Sequence, residues 1–410
     1  MELAGIGLAG ALAGLGLVAG VLAAGWLIVS LLATLATALY LRGLPSAAPA
    51  DPGPFPPVLV LLPIRANDAA EVEDIRGCLA ALAAQDYPGP WRAVLVFEDD
   101  RDPAFALAQG LDPARFSTLL AGPGEGRSQK VQNLLVALGT RHPEERIVVT
   151  LDADTRPQPN WLAELTRPLR AGRAEIASGY RWMLPEDLPS RLAAIADRGP
   201  ATFARPRALN LLWGGSTAIT AEALQTVKIR RVWGGAMSDC LSLTRAAHAA
   251  GLPPWTPRRV LVPSPTRHDW ASLFAFARRQ MLLTRIYAPL AWASLGIGLL
   301  LPVLAVLVLL PAALGGDLAA IAVLGLALGL QQWRASMRAE VARRVLPPAD
   351  AEAVARAMPG DRLLLPVAHL LQLGIFLASA VGREVRWRGR AYAILSPGST
   401  AVLERDQPAG

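Results

Sequence analysis

The chain of 410 residues has only two cysteines, and Cys78 and Cys240 stand far apart, without metal-site or disulfide spacing. That scarcity suits a reducing compartment and excludes a disulfide-stapled scaffold. Lysine is nearly absent too: Lys130 and Lys228 are the only two, so the formal charge of +7 rests on arginine. Aromatic residues are few, 6% of the chain, and they are not interleaved with basic ones in the way that stacks single-stranded nucleic acid. No nucleic-acid partner is expected, and the arginine-rich faces are read as meeting anionic lipid headgroups. No GxGxxG, Walker, HExxH or GxSxG motif occurs.

Charge is missing altogether from residues 3–41. Such a run exceeds the ~20 residues that cross a bilayer once, which predicts one long helix with an interfacial turn, or alternatively a tight hairpin. Glu2 stands where a secretory signal would carry basic residues, so no signal peptide is expected. Uncharged runs return at 286–314, 318–333 and 363–382. The expected organisation is an N-terminal transmembrane helix at 1–42, a linker at 43–57 and a cytoplasmic domain at 58–285. Two transmembrane segments at 286–333, a basic cytoplasmic or interfacial loop at 334–362, a membrane or re-entrant segment at 363–382 and a cytoplasmic tail at 383–410 follow. Arg42, the arginines of 334–344 and those of 383–390 mark the cytoplasmic side of the cell inner membrane. Three crossings after a cytoplasmic domain would carry the tail across, so 363–382, broken by Pro366, His369 and Gln372, is expected to be re-entrant or interfacial.

Between the spans, short apolar runs alternate with amphipathic stretches, the pattern of an α/β domain with a largely parallel sheet. Strands are expected at 58–62, 92–97 and 146–151, and helices at 71–84 and 129–139. Ligands of such sheets bind at the carboxyl ends of the strands, where Asp99 and the pair Asp152 and Asp154 fall. Asp-Ala-Asp after a strand can set two carboxylates on one divalent cation, or form an Asx-turn. Asp99 can contact a nucleoside or belong to a solvated acidic turn. Lys130 enters a helix from a Gly-rich loop and can reach a phosphate, or merely start that helix. Trp213-Gly214-Gly215-Ser216 reads as a strand whose small residues admit a sugar, or as a bulge. Asp239 opens a helix as a base or as its cap. Past His268, a basic amphipathic stretch offers Arg278 and Arg279 to a diphosphate or to headgroups.

In order and spacing these blocks resemble membrane-bound family 2-like glycosyltransferases, and within them the ceramide glucosyltransferases of family 21 and their bacterial relatives. Gln85-Asp86-Tyr87-Pro88, then Asp99 with Asp102-Pro103-Ala104, look like the first aspartate region. Lys130 with Asn133 looks like the lysine-asparagine helix, Asp152-Ala153-Asp154 like the second aspartate motif, and Asp239 like the third. The resemblance implies a GT-A domain flanked by transmembrane helices. It also implies an inverting transfer of a hexose from a UDP-sugar to a lipid hydroxyl at the membrane face. Asp99, Lys130, Asp152 and Arg279 would then bind the nucleotide, Asp152 and Asp154 a Mg²⁺ or Mn²⁺ ion, and Asp239 would be the base. Trp213, Gly215, Ser216, Trp233 and His268 would shape the acceptor or sugar pocket. Two departures stand out: Ser238 replaces an acidic residue before Asp239, and 278–285 lacks the Arg-Trp of the (Q/R)xxRW signature. The second argues against a processive polysaccharide synthase, which is the competing enzymatic reading. A non-catalytic membrane protein that retains a nucleotide-binding domain is the other alternative.

Overall fold

The computed structural model describes residues 2–45 and 53–405. After α1 (Glu2–Arg42), the chain runs through β1 (Val58–Pro63), α2 (Ala69–Ala83), β2 (Trp91–Phe97), β3 (Phe116–Leu120), α3 (Gln129–Leu138), β4 (Ile147–Leu151) and α4 (Trp161–Arg170). Next come β5 (Ile176–Ser178), β6 (Tyr180–Pro185), α5 (Leu188–Ala201), β7 (Ser216–Thr220), α6 (Ala221–Thr226), α7 (Ile229–Trp233), α8 (Asp239–Ala249), β8 (Leu261–Thr266) and α9 (Trp270–Tyr287). The last part holds α10 (Pro289–Leu314), α11 (Leu318–Val345), α12 (Pro348–Ser379), β9 (Glu384–Trp387), β10 (Arg390–Ser396) and β11 (Ser399–Arg405).

The main sheet has the order β3-β2-β1-β4-β7-β5; its first four strands are parallel, and β7 is antiparallel to both of its neighbours. β1 reads Val-Leu-Val-Leu-Leu because helices cover both of its faces. Val58, Val60 and Leu62 pack with Ile75, Leu79, Leu162 and Leu165 of α2 and α4, whereas Leu59 and Leu61 meet Val131 and Leu134 of α3. Truncating one of these leucines to alanine should cost about 2–5 kcal/mol. The same packing holds the carboxyl ends of β1, β2 and β4 along one edge, where the site lies.

Among the described residues, four helices are long and apolar enough to cross a membrane: residues 16–42 of α1, α10, α11 and α12. The 26 residues of α10 span about 39 Å, against a hydrocarbon core of ~30 Å. Trp26 packs with Leu309 and with Ala305, Ala320 and Ala327, small residues that let α1, α10 and α11 approach closely. α1 is continuous, without the expected turn.

The stretch 334–362, expected as a loop, is instead helical: α11 continues to Val345, the chain bends at Leu346 and Pro347, and α12 begins at once. Of the arginines of α11 that suggested a loop, Arg334 is held by α1, its Nη1 donating to Ser30 O and Thr34 Oγ1, each at 2.9 Å, while Arg343 and Arg344 bond Glu340 of the same helix. α12 touches the α/β domain at both ends. Val354 and Met358 pack with Trp182 and Leu261, while the carbonyls of Ala378 and Val381 accept from Arg278 of α9. Midway, buried Asp361 pairs with Arg191 at 2.5 Å and Arg198 at 2.6 Å, both on α5. Leu363, Val367, Leu370, Leu377 and Val381 stay exposed on one helical stripe. α12 thus lies along the domain instead of leading away from it. The expected tail is likewise folded, as the antiparallel sheet β9–β10–β11.

Candidate active site

Lys130 is the hub. It occupies the first turn of α3, whose N-cap Ser128 accepts from Val131 N. Gln129 shapes the entering loop by accepting from Gly124 N and donating to Gly122 O, both at 2.8 Å. Lys130 Nζ lies 2.6 Å from Asp152 Oδ1 and 3.4 Å from Asp239 Oδ2. Burial works against its charge, but Asp152 and Asp239 outweigh that penalty and hold its pKa above the ordinary lysine value.

Asp152 follows β4 directly, and Thr155 Oγ1 donates to its carbonyl at 2.8 Å, closing a turn over 152–155. The two aspartates therefore sit on a turn, not on extended chain. Asp154 opens into the cleft, yet the surrounding protein and then neighbouring Asp152 push its carboxyl above the usual carboxylate range. Arg388, Arg181 and Lys130 oppose that shift.

Asp239 is the first residue of α8, but the cap is Ser238, whose Oγ accepts from Leu241 N. The serine that departs from the family pattern takes the capping work and leaves the Asp239 carboxylate for Lys130. Tyr287 Oη accepts from Met237 N at 3.0 Å, and Trp233 Nε1 donates to Asp239 O at 3.0 Å, fixing the turn. Gly214 and Gly215 form the floor beneath the carboxylates. A Cβ on Gly214 would lie 2.1 Å from Asp239 Oδ2, and one on Gly215 would lie 2.3 Å from the Trp213 ring and 2.7 Å from Asp152 Oδ2. Only glycine fits at either position.

The other expected residues divide. Trp213 lines the cleft beside Tyr180, with ring centroids 5.8 Å apart. It precedes β7, which begins only at Ser216. Ser216 and Trp233, expected in the sugar pocket, are turned into the interior. Ser216 Oγ accepts from Trp161 Nε1 at 2.8 Å, and Trp233 packs under the sheet against Leu243 and Ala247. Asp99 is not gathered with the other acids: it pairs with Arg101 at the rim, and that hydrogen bond holds its carboxyl below the usual range. At the same strand end, Glu98 points inward to Arg65 and Arg390. His268 is half-buried beside Phe276 and lines a cavity of about 510 Å³ with Glu186, Asp187, Arg267, Asp269 and Ser272. Burial lowers its pKa.

Arg279 lies between Phe276 and Trp387, 5.5 and 5.4 Å from their ring centroids. The arginine-tryptophan pairing missing from the α9 sequence is made through space, with a ring from the C-terminal sheet. Trp387, Arg388 and Arg181 escaped the sequence reading; the alternation Arg386-Trp387-Arg388-Gly389-Arg390 was the local signal for the first two.

Asp152 and Asp154 fit a hard divalent cation: the charge of Asp152 raises the cost of ionising Asp154, which a cation relieves. Among the described residues no group of three or more His, Cys, Asp or Glu is gathered to hold a metal. Mg²⁺-type sites need only one or two carboxylates, the rest of the shell coming from phosphate and water.

A solved structure shares the fold. The mannosyltransferase PcManGT from Pyrobaculum calidifontis, in complex with GDP-Man and Mn²⁺, is 20% identical, with a TM-score of 0.50, covering 85% of this chain and 99% of its own. S. aureus TarS 1–349 in complex with UDP-GlcNAc is 12% identical, with a TM-score of 0.37 and the same two coverages. No curated protein matches the chain in sequence. The family described as Glycosyl transferase family 21 matches residues 22–400, from the first membrane helix through the α/β domain to the C-terminal sheet, and the chain belongs to that family.

Proposed function

We propose that this glycosyltransferase moves a hexose, with inversion, from a UDP-sugar to the hydroxyl of a lipid, at the cytoplasmic face of the cell inner membrane. The observation that carries the reading is Lys130 spanning Asp152 and Asp239, because it joins a donor-side carboxylate and a free helix-start carboxylate in one cleft. Asp239 takes the proton as the acceptor O–H bond breaks. The acceptor oxygen bonds to the anomeric carbon as its bond to the diphosphate breaks, and the nucleoside diphosphate departs. Lys130 holds Asp239 in place and contributes positive charge beside the departing phosphates. Arg279, half-buried without a carboxylate partner among the described residues, is suited to the same diphosphate. Asp152 and Asp154 would hold Mg²⁺ or Mn²⁺, which neutralises charge on the leaving group when bound. Asp99, released from Arg101, would meet the nucleoside end, and Trp213, Gly215 and His268 would border the sugar and acceptor.

The lipid acceptor is supported by exposed apolar groups beside the cleft entrance: Trp270 and Phe274 on α9, next to His268, and the stripe on α12. Turnover of UDP-hexoses with a panel of lipids, followed by mass spectrometry, tests the reading. One sugar per lipid is expected, with loss of about 100-fold or more in Asp239→Asn and Asp154→Asn. Equal turnover of wild type and both variants would overturn the mechanism. A polymeric product would replace the lipid reading with a synthase.

A further inference from the structure

The sheet β9–β11 is fastened to the segments that carry Asp99, Lys130, Asp239 and Arg279. Arg390, 7% exposed, donates to Gln129 Oε1 at 2.6 Å and pairs with Glu98 at the end of β2. Tyr392 Oη accepts from Gln129 N, one residue before Lys130. Thr400 Oγ1 donates to Gly235 O at 2.9 Å, four residues before Asp239, and there a Cβ on Gly235 would lie 2.2 Å from Gly398 O. Val385, Tyr392 and Ile394 pack beneath against Met237, Leu282 and Tyr287.

The tip of the β9–β10 hairpin is unusual for its residue choice. Arg388 and Gly389 both have positive φ, 50° and 74°, as the two central residues of a tight primed turn require. Asn, Asp or Gly ordinarily fills the first of those positions, whereas here it carries an arginine. The Arg388 guanidinium pairs with Glu71 near the start of α2. Its neighbour Trp387 lies against Arg279, whose pKa is lowered to about 10 by burial first and then by Arg388 and Arg181. Arg388 at the hairpin tip and Arg279 against Trp387 thus stand beside the strand end that carries Glu98 and the loop that carries Gln129, and Arg279 has no carboxylate within ion-pair distance among the described residues. An anionic ligand would complete this arrangement.

We propose that Arg388, presented by the β9–β10 hairpin, contacts the diphosphate of the sugar donor, so that the C-terminal sheet forms one wall of the donor site. The proposal rests on the donor reading above. Binding of UDP and of GDP, each with Mn²⁺, is measured by calorimetry on the full chain in detergent, beside thermal midpoints. Arg388→Ala should weaken nucleotide binding by about tenfold or more, as expected for a lost charge-assisted bond, with Arg388→Lys between it and wild type. Glu71→Gln, which removes the charge paired with Arg388 and keeps an amide oxygen for Asn67, should bind within about twofold of wild type. Unchanged binding by Arg388→Ala, or equal losses in Arg388→Ala and Glu71→Gln, would reduce Arg388 to a strut between sheet and α2. A wild-type chain that binds neither nucleotide would overturn the donor reading itself, and this proposal with it.

Discussion

Gly214→Ala offers a sharp test of the site because it adds one methyl group and no charge. The new Cβ would stand 2.1 Å from Asp239 Oδ2, where ordinary contact begins near 3.4 Å. The carboxylate must retreat by about 1.3 Å, and misplacement of about 1 Å at a reacting group can cost 10²-fold. Its 3.4 Å contact with Lys130 would be lost in the same movement. Overpacking costs about 1–3 kcal/mol, a few degrees in thermal midpoint for a domain of this size, so the variant should still fold. The assay is nucleoside-diphosphate release by the purified chain in detergent, with kcat and KM separated and thermal midpoints recorded. A fall in kcat of about 100-fold with donor KM little changed is expected if Asp239 serves the acceptor hydroxyl as proposed. Gly298→Ala, where nothing lies within 4 Å of the added methyl, is the control. Wild-type kcat in Gly214→Ala would refute the placement of Asp239 at the reaction.

Lys130→Met removes the ammonium group between Asp152 and Asp239 while keeping a long side chain; turnover should drop about 100-fold, checked in the same release assay. Asp361→Ala leaves Arg191 and Arg198 facing a vacated carboxylate position on α12, which should cost about 3–5 kcal/mol and lower the thermal midpoint by several degrees. For topology, Leu314→Cys in a chain whose native cysteines are replaced by alanine places a thiol in the turn between α10 and α11. A membrane-impermeant maleimide should label it from the side opposite Arg42 and the α/β domain; labelling from the same side would contradict α10 as a crossing helix.

Much of the α/β domain was legible because its signals are local. The buried run of β4 and the acid that follows it read directly, as did the order of Lys130, Asp152 and Asp239. Strand register was less legible: four acids crowd the end of β2, and only the packed sheet shows that Glu98 turns inward while Asp99 remains with Arg101. Ser216 and Trp233 looked like pocket residues because small and aromatic side chains line sugars, yet the same types fill cores, and here their polar atoms serve Trp161 and the Asp239 backbone. The continuity of α11 with α12 was hidden by arginines that mimic a solvated loop. The partners of Arg334, Ser30 and Thr34, lie roughly three hundred residues earlier. The C-terminal strands are short and rich in arginine, so charge outweighed their alternation in the reading.

The contact between Arg390 and Gln129 joins residues 261 positions apart, with α10, α11 and α12 made in between. During synthesis, the α/β domain leaves the ribosome long before the sheet that closes it. Until the membrane helices are inserted and residues 384–405 arrive, Glu98 and Gln129 lack the arginine that joins them. A chain that fails at insertion is left with an open, incomplete cleft, so assembly in the bilayer becomes a condition for the enzyme's competence.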